Sequence, residues 1–385
     1  MNKKEKVSKF QIWVTAIGFL GLLFVPSIAW VFYHDTIGDD ASENRKLAEM
    51  PEFRLGNISA FPKKFENFYN DHVPFRKSIR AVWSNLGYFM LHDSPTTYVV
   101  LGKDDGDDKE RWLFYSRDAD YSPVRDAQGI ATYPEYVKDK IAKALDENTK
   151  YLRGRKIDFY LLAIPNKENV YKEYLPDTVN VYNSKSRGED LIECLDEEDK
   201  NIVYAKDEIM DAKKDYQLYY KHDTHWNELG AFYGFKSFMK KVFPNFDGYS
   251  YKIKWQGLQV SKDGETNFDM PNMMKVYNYF VDNWPKVYYT SGSSFDEYVF
   301  GENDNKITVK KNKNAPIKKR IMVVGDSYRS AMMPYFGRIF SESISMHRVA
   351  YNPELLDKYK PDIVVAETVE RYFSVMGTFS FEDGK

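Results

Sequence analysis

Two segments about a hundred residues apart carry the side chains that could do chemistry. One reads His222-Asp223-Thr224-His225-Trp226-Asn227-Glu228-Leu229-Gly230, the other Met322-Val323-Val324-Gly325-Asp326-Ser327-Tyr328. Between them they supply a serine, an imidazole and a carboxylate. A serine hydroxyl is a weak nucleophile near neutral pH and needs a base within hydrogen-bond reach. An imidazole serves best when a carboxylate fixes its tautomer and orientation. Ser327, His225 and Asp223 can fill those roles in that order. A metal site competes, since His and Asp are also metal ligands, but a catalytic zinc takes about three protein ligands plus an open position. His34, His72, His92 and His347 are scattered singly, and no second cluster stands at ligand spacing.

Elements must position these residues. Ile321-Met322-Val323-Val324 reads as a short buried strand of a parallel sheet. Gly325 ends it, and Ser330 to Met333 can begin a helix. A serine on such a turn sits at the carboxyl edge of the sheet, where open α/β folds place ligands. Helix-terminal amides there can stabilise an oxyanion. The plainer alternative is a Gly-Asp-Ser turn that only caps a helix. The segment before Gly230 precedes a helix running to Val242, with Thr224 or Asn227 as N-cap. Asn166 follows the strand ending Leu162-Ala163-Ile164-Pro165, where it could donate to an oxyanion or anchor its loop. Tyr328 and Arg329 flank the serine and could line an acceptor groove. Asp326, adjacent to the nucleophile, is badly placed to reach the far imidazole nitrogen and reads as a turn residue. Trp226 reads as loop packing, and Glu367 and Arg371 as an i,i+4 structural pair.

The chain resembles the AlgX/AlgJ-type acetyltransferases, whose domains are SGNH-hydrolase-like and which have a related group named for a DHHW motif. Asp223 to Phe232, Asp-Thr-His-Trp-Asn-Glu-Leu-Gly-Ala-Phe, carries the likeness first. Glu43-Asn44-Arg45-Lys46-Leu47 with Pro51 and the run from Phe61 to Arg76 resemble further blocks of that family. So do Gly102-Lys103 with Trp112-Leu113-Phe114-Tyr115, interrupted here by the acidic stretch Asp104 to Arg111. Ile164 to Tyr171, Lys360 to Val365 and Glu370-Arg371-Tyr372 extend the similarity, which spans most of residues 43 to 373. The resemblance implies an SGNH-like parallel sheet flanked by helices in permuted order, with the Asp-x-His pair before the serine. It implies Asp223, His225 and Ser327 as the triad, no cofactor, a polysaccharide acceptor, and a multi-pass membrane-bound O-acyltransferase as the partner that delivers the acyl group.

Composition bounds the rest. The chain has 385 residues, enough for one large or two modest domains with a substantial core. Its 30 Tyr and 26 Phe suit a carbohydrate-facing surface but equally fill cores. The lone Cys194 forbids an intrachain disulfide, and its surroundings suggest a half-buried apolar role. Residues 12 to 33 hold no charged residue. As a helix they would run about 33 Å, enough to cross a bilayer. Lys3, Lys4, Lys6 and Lys9 precede them against Glu5 alone, which puts the amino end in the cytoplasm and the remainder outside. Ser27-Ile28-Ala29 followed by bulky Trp30 argues for an uncleaved anchor over a signal peptide, and Pro26 is expected to kink it. The net charge of −2 gives no general pull toward nucleic acid or an acidic polymer.

These features predict a cytoplasmic end and membrane anchor over 1–34, a membrane-proximal stalk over 35–100 and an SGNH-like catalytic domain over 101–385. Strands are expected at Lys156 to Ile164, Ile321 to Val324 and Asp362 to Ala366, and a helix at Tyr136 to Leu152. Phe61, Phe65, Phe68 and Tyr69 read as a helical packing face. Tyr249 to Phe300 shows no clear period and is expected to be an insertion bordering the site. Lys306 to Arg320, with seven basic residues and no acid, reads as a solvated loop or hairpin. The functional expectation is an extracytoplasmic polysaccharide O-acetyltransferase. An esterase built on the same triad and a non-catalytic tethered polymer-binding or assembly protein are the alternatives.

Overall fold

The computed structural model describes residues 9–33, 47–54, 56, 58–72, 76–103, 106–107, 109–117, 122–196, 201–248, 251–255, 259–260, 268–277, 279–289 and 294–384. Residues 43–46 of the first resemblance block, 73–75 of the second and 104, 105 and 108 of the acidic stretch lie outside this set. The chain divides into two units, residues 1–95 and 96–385.

The first unit holds α1 (Lys9–Tyr33), α2 (Phe61–Asp71) and α3 (Arg76–Leu91). Among the described residues no helix is long and apolar enough to cross a membrane. Side chains at 9, 22, 23, 26, 27 and 29 to 33 of α1 are outside that set, and with them the expected kink at Pro26 and the Ser27-Ile28-Ala29 stretch. On α2 the aromatic spacing forms a ladder along one face. Phe61 stacks on Phe65 at 5.8 Å and Phe68 on His72 at 4.2 Å between ring centroids. The carboxylate of Asp71 accepts the amide of Ala48.

The second unit is an α/β fold. Strands β1 (Val99–Leu101) and β2 (Leu113–Tyr115) pair antiparallel, so this unit begins a little before the boundary expected at 101. Then follow α4 (Pro123–Ala127), α5 (Glu135–Gly154), β3 (Asp158–Ile164), α6 (Lys167–Val170), α7 (Arg187–Asp196), β4 (Ile202–Tyr204), α8 (Lys206–Ala212) and α9 (Glu228–Val242). Next come β5 (Tyr251–Trp255), β6 (Gln259–Val260), α10 (Asp269–Met274), β7 (Val281–Asp282), β8 (Pro285–Tyr289), β9 (Asp296–Phe300), β10 (Ile307–Lys311), β11 (Ile317–Gly325), α11 (Arg329–Ile339), β12 (Phe340–His347), α12 (Glu354–Tyr359) and β13 (Ile363–Val369). Seven strands form the central sheet in the order β4-β3-β13-β11-β12-β10-β9. The first five run parallel, and β10 and β9 add antiparallel at one edge.

Alternation along β11 shows why it lies in the middle. Ile321 and Val323 face a core with Trp226, Phe232, Phe235, Phe238, Met332 and Phe336. Met322 and Val324 face the other core with Ile141, Leu145, Ile344 and Leu356. Successive side chains of a strand point to opposite faces, so a continuous apolar run needs both covered. Helices α9 and α11 cover the first face through aromatic contacts, Phe235 meeting Phe336 edge-on at 5.0 Å and Phe232 meeting Tyr335 at 5.3 Å.

The basic run from Lys306 departs from expectation. It is neither a solvated loop nor a hairpin: it holds strand β10 and the first part of β11 with a turn over 312–316 between them, and the two strands do not pair with each other. Strand β10 lies between β12 and β9, Lys310 is buried and paired with Glu297, and Lys311 and Lys319 stand 3.7 and 3.6 Å from Glu342 and Asp158. Opposite charges on other strands of the same sheet, Glu297, Glu342 and Asp158, balance Lys310, Lys311 and Lys319. Cys194 is exposed on α7 and not half-buried. Glu367 and Arg371 do not form a helical pair, because β13 continues through Val369 and separates them.

Candidate active site

Strand β11 ends at Gly325, and α11 begins at Arg329. Ser327 sits on the turn between them, exposed while its neighbours are buried. Glycine is required before it. A Cβ at Gly325 would lie 2.1 Å from Oε2 of Glu367 and 2.7 Å from its carbonyl oxygen. Asp326 holds the turn from within: Oδ1 accepts the amide of Tyr328, and Oδ2 accepts the amide of Val369 and a guanidinium hydrogen of Arg348. These bonds tie the turn to its surroundings, in keeping with a structural carboxylate.

His225 lies on a loop closed by a bridge between Tyr219 and Trp226, with the amide of Tyr220 donating to the carbonyl of His225. Asn227 then caps α9, its side-chain oxygen accepting the amides of Leu229 and Gly230. Trp226 is buried and donates its indole N–H to the carbonyl of Tyr328, which fastens the base-bearing loop to the nucleophile turn. Helix α9 approaches this loop closely. A Cβ at Gly230 would fall 2.1 Å from the carbonyl oxygen of Leu218.

The three side chains form a relay. Nε2 of His225 lies 2.6 Å from Oγ of Ser327, and Nδ1 lies 2.7 Å from Oδ1 of Asp223. The same carboxylate oxygen accepts the amide of His225, and Oδ2 accepts the amide of Asp269. Burial raises the Asp223 carboxyl, but these hydrogen bonds and the imidazole charge outweigh it and hold the group below its usual range. Burial lowers His225, yet the hydrogen bond and charge of Asp223 outweigh that and leave it above an ordinary imidazole. An ionised carboxylate beside a basic imidazole is the pairing that extracts a proton from a serine hydroxyl.

One residue of the site was not found from the sequence. Asp269, at the start of α10, accepts the amide and hydroxyl of Thr224 and lies 3.9 Å from Nδ1 of His225. Burial and the charge of Asp223 push its carboxyl up to about 6. It arrives from the Tyr249 to Phe300 stretch expected to border the site, but no local pattern distinguishes it from the other acids there. Donor atoms of Asp223, His225 and Asp269 lie within 4.8 Å of one another. One Asp223 oxygen is already committed to His225, and Asp269 to Thr224.

The other expected residues behave differently. Asn166 is buried just past the carboxyl end of β3. Its amide donates to Glu370, its side-chain oxygen accepts the amide of Arg371, and its side-chain nitrogen is buried without a partner among the described residues. Tyr328 is no groove wall. It is fully buried with its ring 4.9 Å from that of His225, and its hydroxyl donates to the carbonyl of Thr224. Arg371 stacks over the Tyr328 ring at 5.3 Å. Arg329 is partly buried and turned back on its own turn, donating to the carbonyl of Asp326.

The chain matches the family described as SGNH hydrolase-like domain, acetyltransferase AlgX, over residues 99–336. No curated protein matches it. Similar solved structures include PatB1 of Bacillus cereus (15% identity, 71% of this chain and 97% of that one, TM-score 0.49). Others are a DHHW family protein of Eubacterium siraeum (16%, 74% and 95%, TM-score 0.49) and the O-acetyltransferase domain of Pseudomonas putida AlgJ (18%, 72% and 92%, TM-score 0.44). With its parallel sheet, its Asp-x-His loop ahead of the serine turn and a family match covering most of the second unit, the chain belongs to the SGNH hydrolase-like acetyltransferase family of AlgX.

Proposed function

We propose that this protein is a membrane-anchored, extracytoplasmic O-acetyltransferase that passes acyl groups to an exported or cell-wall polysaccharide through an acyl-serine. The observation that carries the reading is the unbroken relay from Asp223 through His225 to an exposed Ser327. In the first half-reaction His225 takes the hydroxyl proton as Oγ attacks the acyl carbonyl. The tetrahedral intermediate collapses, the donor's leaving group departs with that proton, and the acyl group stays on Ser327. A sugar hydroxyl then attacks, losing its proton to the same imidazole, which passes it to Oγ of Ser327 as the acyl–serine bond breaks and the ester moves to the polymer. Asp223 fixes the imidazole and stabilises its charged form. The oxyanion needs donors that are in place beforehand. The unpartnered side-chain nitrogen of Asn166 is the side-chain candidate.

The anchor reading rests on the sequence, on the uncharged stretch from 12 to 33 and the lysines before it. A membrane-bound O-acyltransferase would bring the acyl group across the bilayer to that tethered site. The esterase alternative uses the same relay and differs in the last step, where water replaces the sugar. The relay speaks against a purely non-catalytic tether.

Ser327→Ala in the second unit, assayed with an activated acyl ester, should remove turnover by at least about 10³-fold while the thermal melt is kept. Turnover equal to wild type would discard the acyl-serine. Supplying polysaccharide fragments as acceptors separates the readings: acylated sugar marks a transferase, and free acid alone an esterase.

A further inference from the structure

The loop that carries the base and its orienter is built around a buried lysine. Lys167 is fully buried at the start of α6, next to Asn166. Its ammonium donates to three main-chain carbonyls of one loop: Tyr220 at 3.2 Å, Lys221 at 3.3 Å and Asp223 at 2.7 Å. An ammonium has three N–H donors and no acceptor, so three convergent carbonyls satisfy it completely. No carboxylate takes any of those bonds. The rings of Trp112 and Phe114 lie 5.9 and 5.6 Å from the ammonium. A carbonyl ring of this kind cannot be held by an apolar side chain, since the loop's oxygens would be left buried and unpaired.

Two neighbouring contacts extend the same connection. The hydroxyl of Tyr219 donates to the carbonyl of Pro165, and the hydroxyl of Tyr171 accepts the amide of Leu218. Residues 165, 167 and 171 thus hold both arms and the centre of the 218–223 segment. The loop after β3, which carries Asn166, and the loop that carries Asp223 and His225 are therefore one unit, joined at the Lys167 ammonium.

We infer that Lys167 is a positioning residue of the acyl-transfer site: by clamping the carbonyls of Tyr220, Lys221 and Asp223 it sets the direction of the Asp223 carboxylate toward His225. This inference rests on the relay proposed above. Lys167 reaches no reacting atom and acts through Asp223. Methionine at this position keeps the stem and removes all three donors, whereas glutamine keeps two.

The test uses the full chain in detergent. Lys167→Met should retain a cooperative thermal melt and lower kcat for an activated acyl ester by at least about tenfold, with KM within about twofold of wild type. A role in stability alone would not give that split. The low-field proton on Nδ1 of His225, followed by NMR, should weaken or vanish in the same variant. Should Lys167→Met not fold, Lys167→Gln carries the test, with a smaller kcat loss and a weakened low-field proton expected. Wild-type kcat with an unchanged low-field proton in either folded variant overturns the inference, as does a loss expressed only in KM. Failure of both variants to fold makes Lys167 a folding residue and equally overturns it. Ser327→Ala run alongside separates the two ideas: if it keeps turnover the relay itself fails, and if it loses turnover while Lys167→Met does not, only the clamp fails.

Discussion

Two carboxylates beside His225 experience different surroundings. Asp223 accepts several hydrogen bonds and is held ionised, whereas Asp269, beside it, is pushed up to about 6. Asp223→Asn preserves shape but lets the imidazole take the wrong tautomer, so turnover should fall by roughly 10⁴-fold with little change in the melt. Undiminished activity would assign the orienting role to another carboxylate. The proposed relay uses no metal, so exhaustive chelation should leave turnover unchanged. Activity lost to chelator and restored by zinc would instead assign the Asp223, His225 and Asp269 cluster to a cation. Acid–base behaviour follows from the sign of the shift at His225. The base form is the active one, and its pKa is raised, so kcat/KM should rise with pH through a limb above the 6.5 of a free imidazole. The charge of Asp269 contributes to that elevation, so in Asp269→Asn the limb should move to lower pH. A limb that stays in place would show that the imidazole does not feel the second carboxylate.

At the scale of elements, close approach replaces side-chain volume in two places. Gly325 lets β11 turn beneath the carboxylate of Glu367, and Gly230 lets α9 press against the carbonyl of Leu218. Overpacking of this kind costs about 1–3 kcal/mol. Gly230→Ala should lower the urea midpoint accordingly and should also reduce turnover, because the 218–226 loop carries the base. A Gly230→Ala protein with the wild-type urea midpoint would show that the loop can recede without penalty. The strands were legible in advance for a local reason. A stretch such as Ile321 to Val324 is apolar on both sides, and only a strand covered on both faces buries it. Lys306 to Arg320 misled for the converse reason. A run of lysines without acids looks solvated until the opposite charges on other strands of the sheet are known.

For the molecule as a whole, the proposed tether makes a testable difference. A site held at the bilayer by a short link meets a membrane-delivered acyl group at an effective concentration on the order of millimolar. Protein lacking residues 1–33 should therefore keep turnover on a soluble ester, yet acylate its polymer poorly in cells when exported without an anchor. An unrelated single-span anchor should restore much of that acylation. Full acylation by the secreted form would defeat the membrane hand-off and favour a soluble esterase.

The sequence alone determined the strand–turn–helix setting of Ser327, because it rests on a local apolar run and a glycine break; it offered Asp223, His225 and Ser327 as relay candidates through the family resemblance and left the cap of α9 open between Thr224 and Asn227, which the fold decides for Asn227. Tertiary structure decided what distance along the chain conceals. His225 and Ser327 are 102 positions apart and meet because α9 and α11 pack on one face of the sheet. Asp269 joins them from a stretch without periodicity, so nothing short of the folded arrangement singles it out. Burial also reassigned neighbours of the serine. Tyr328 lies beneath the histidine and Arg329 turns back on its own loop, although both adjoin the nucleophile in sequence. Adjacent positions on a tight turn point in different directions, and which of them faces solvent is fixed by the packing around the turn.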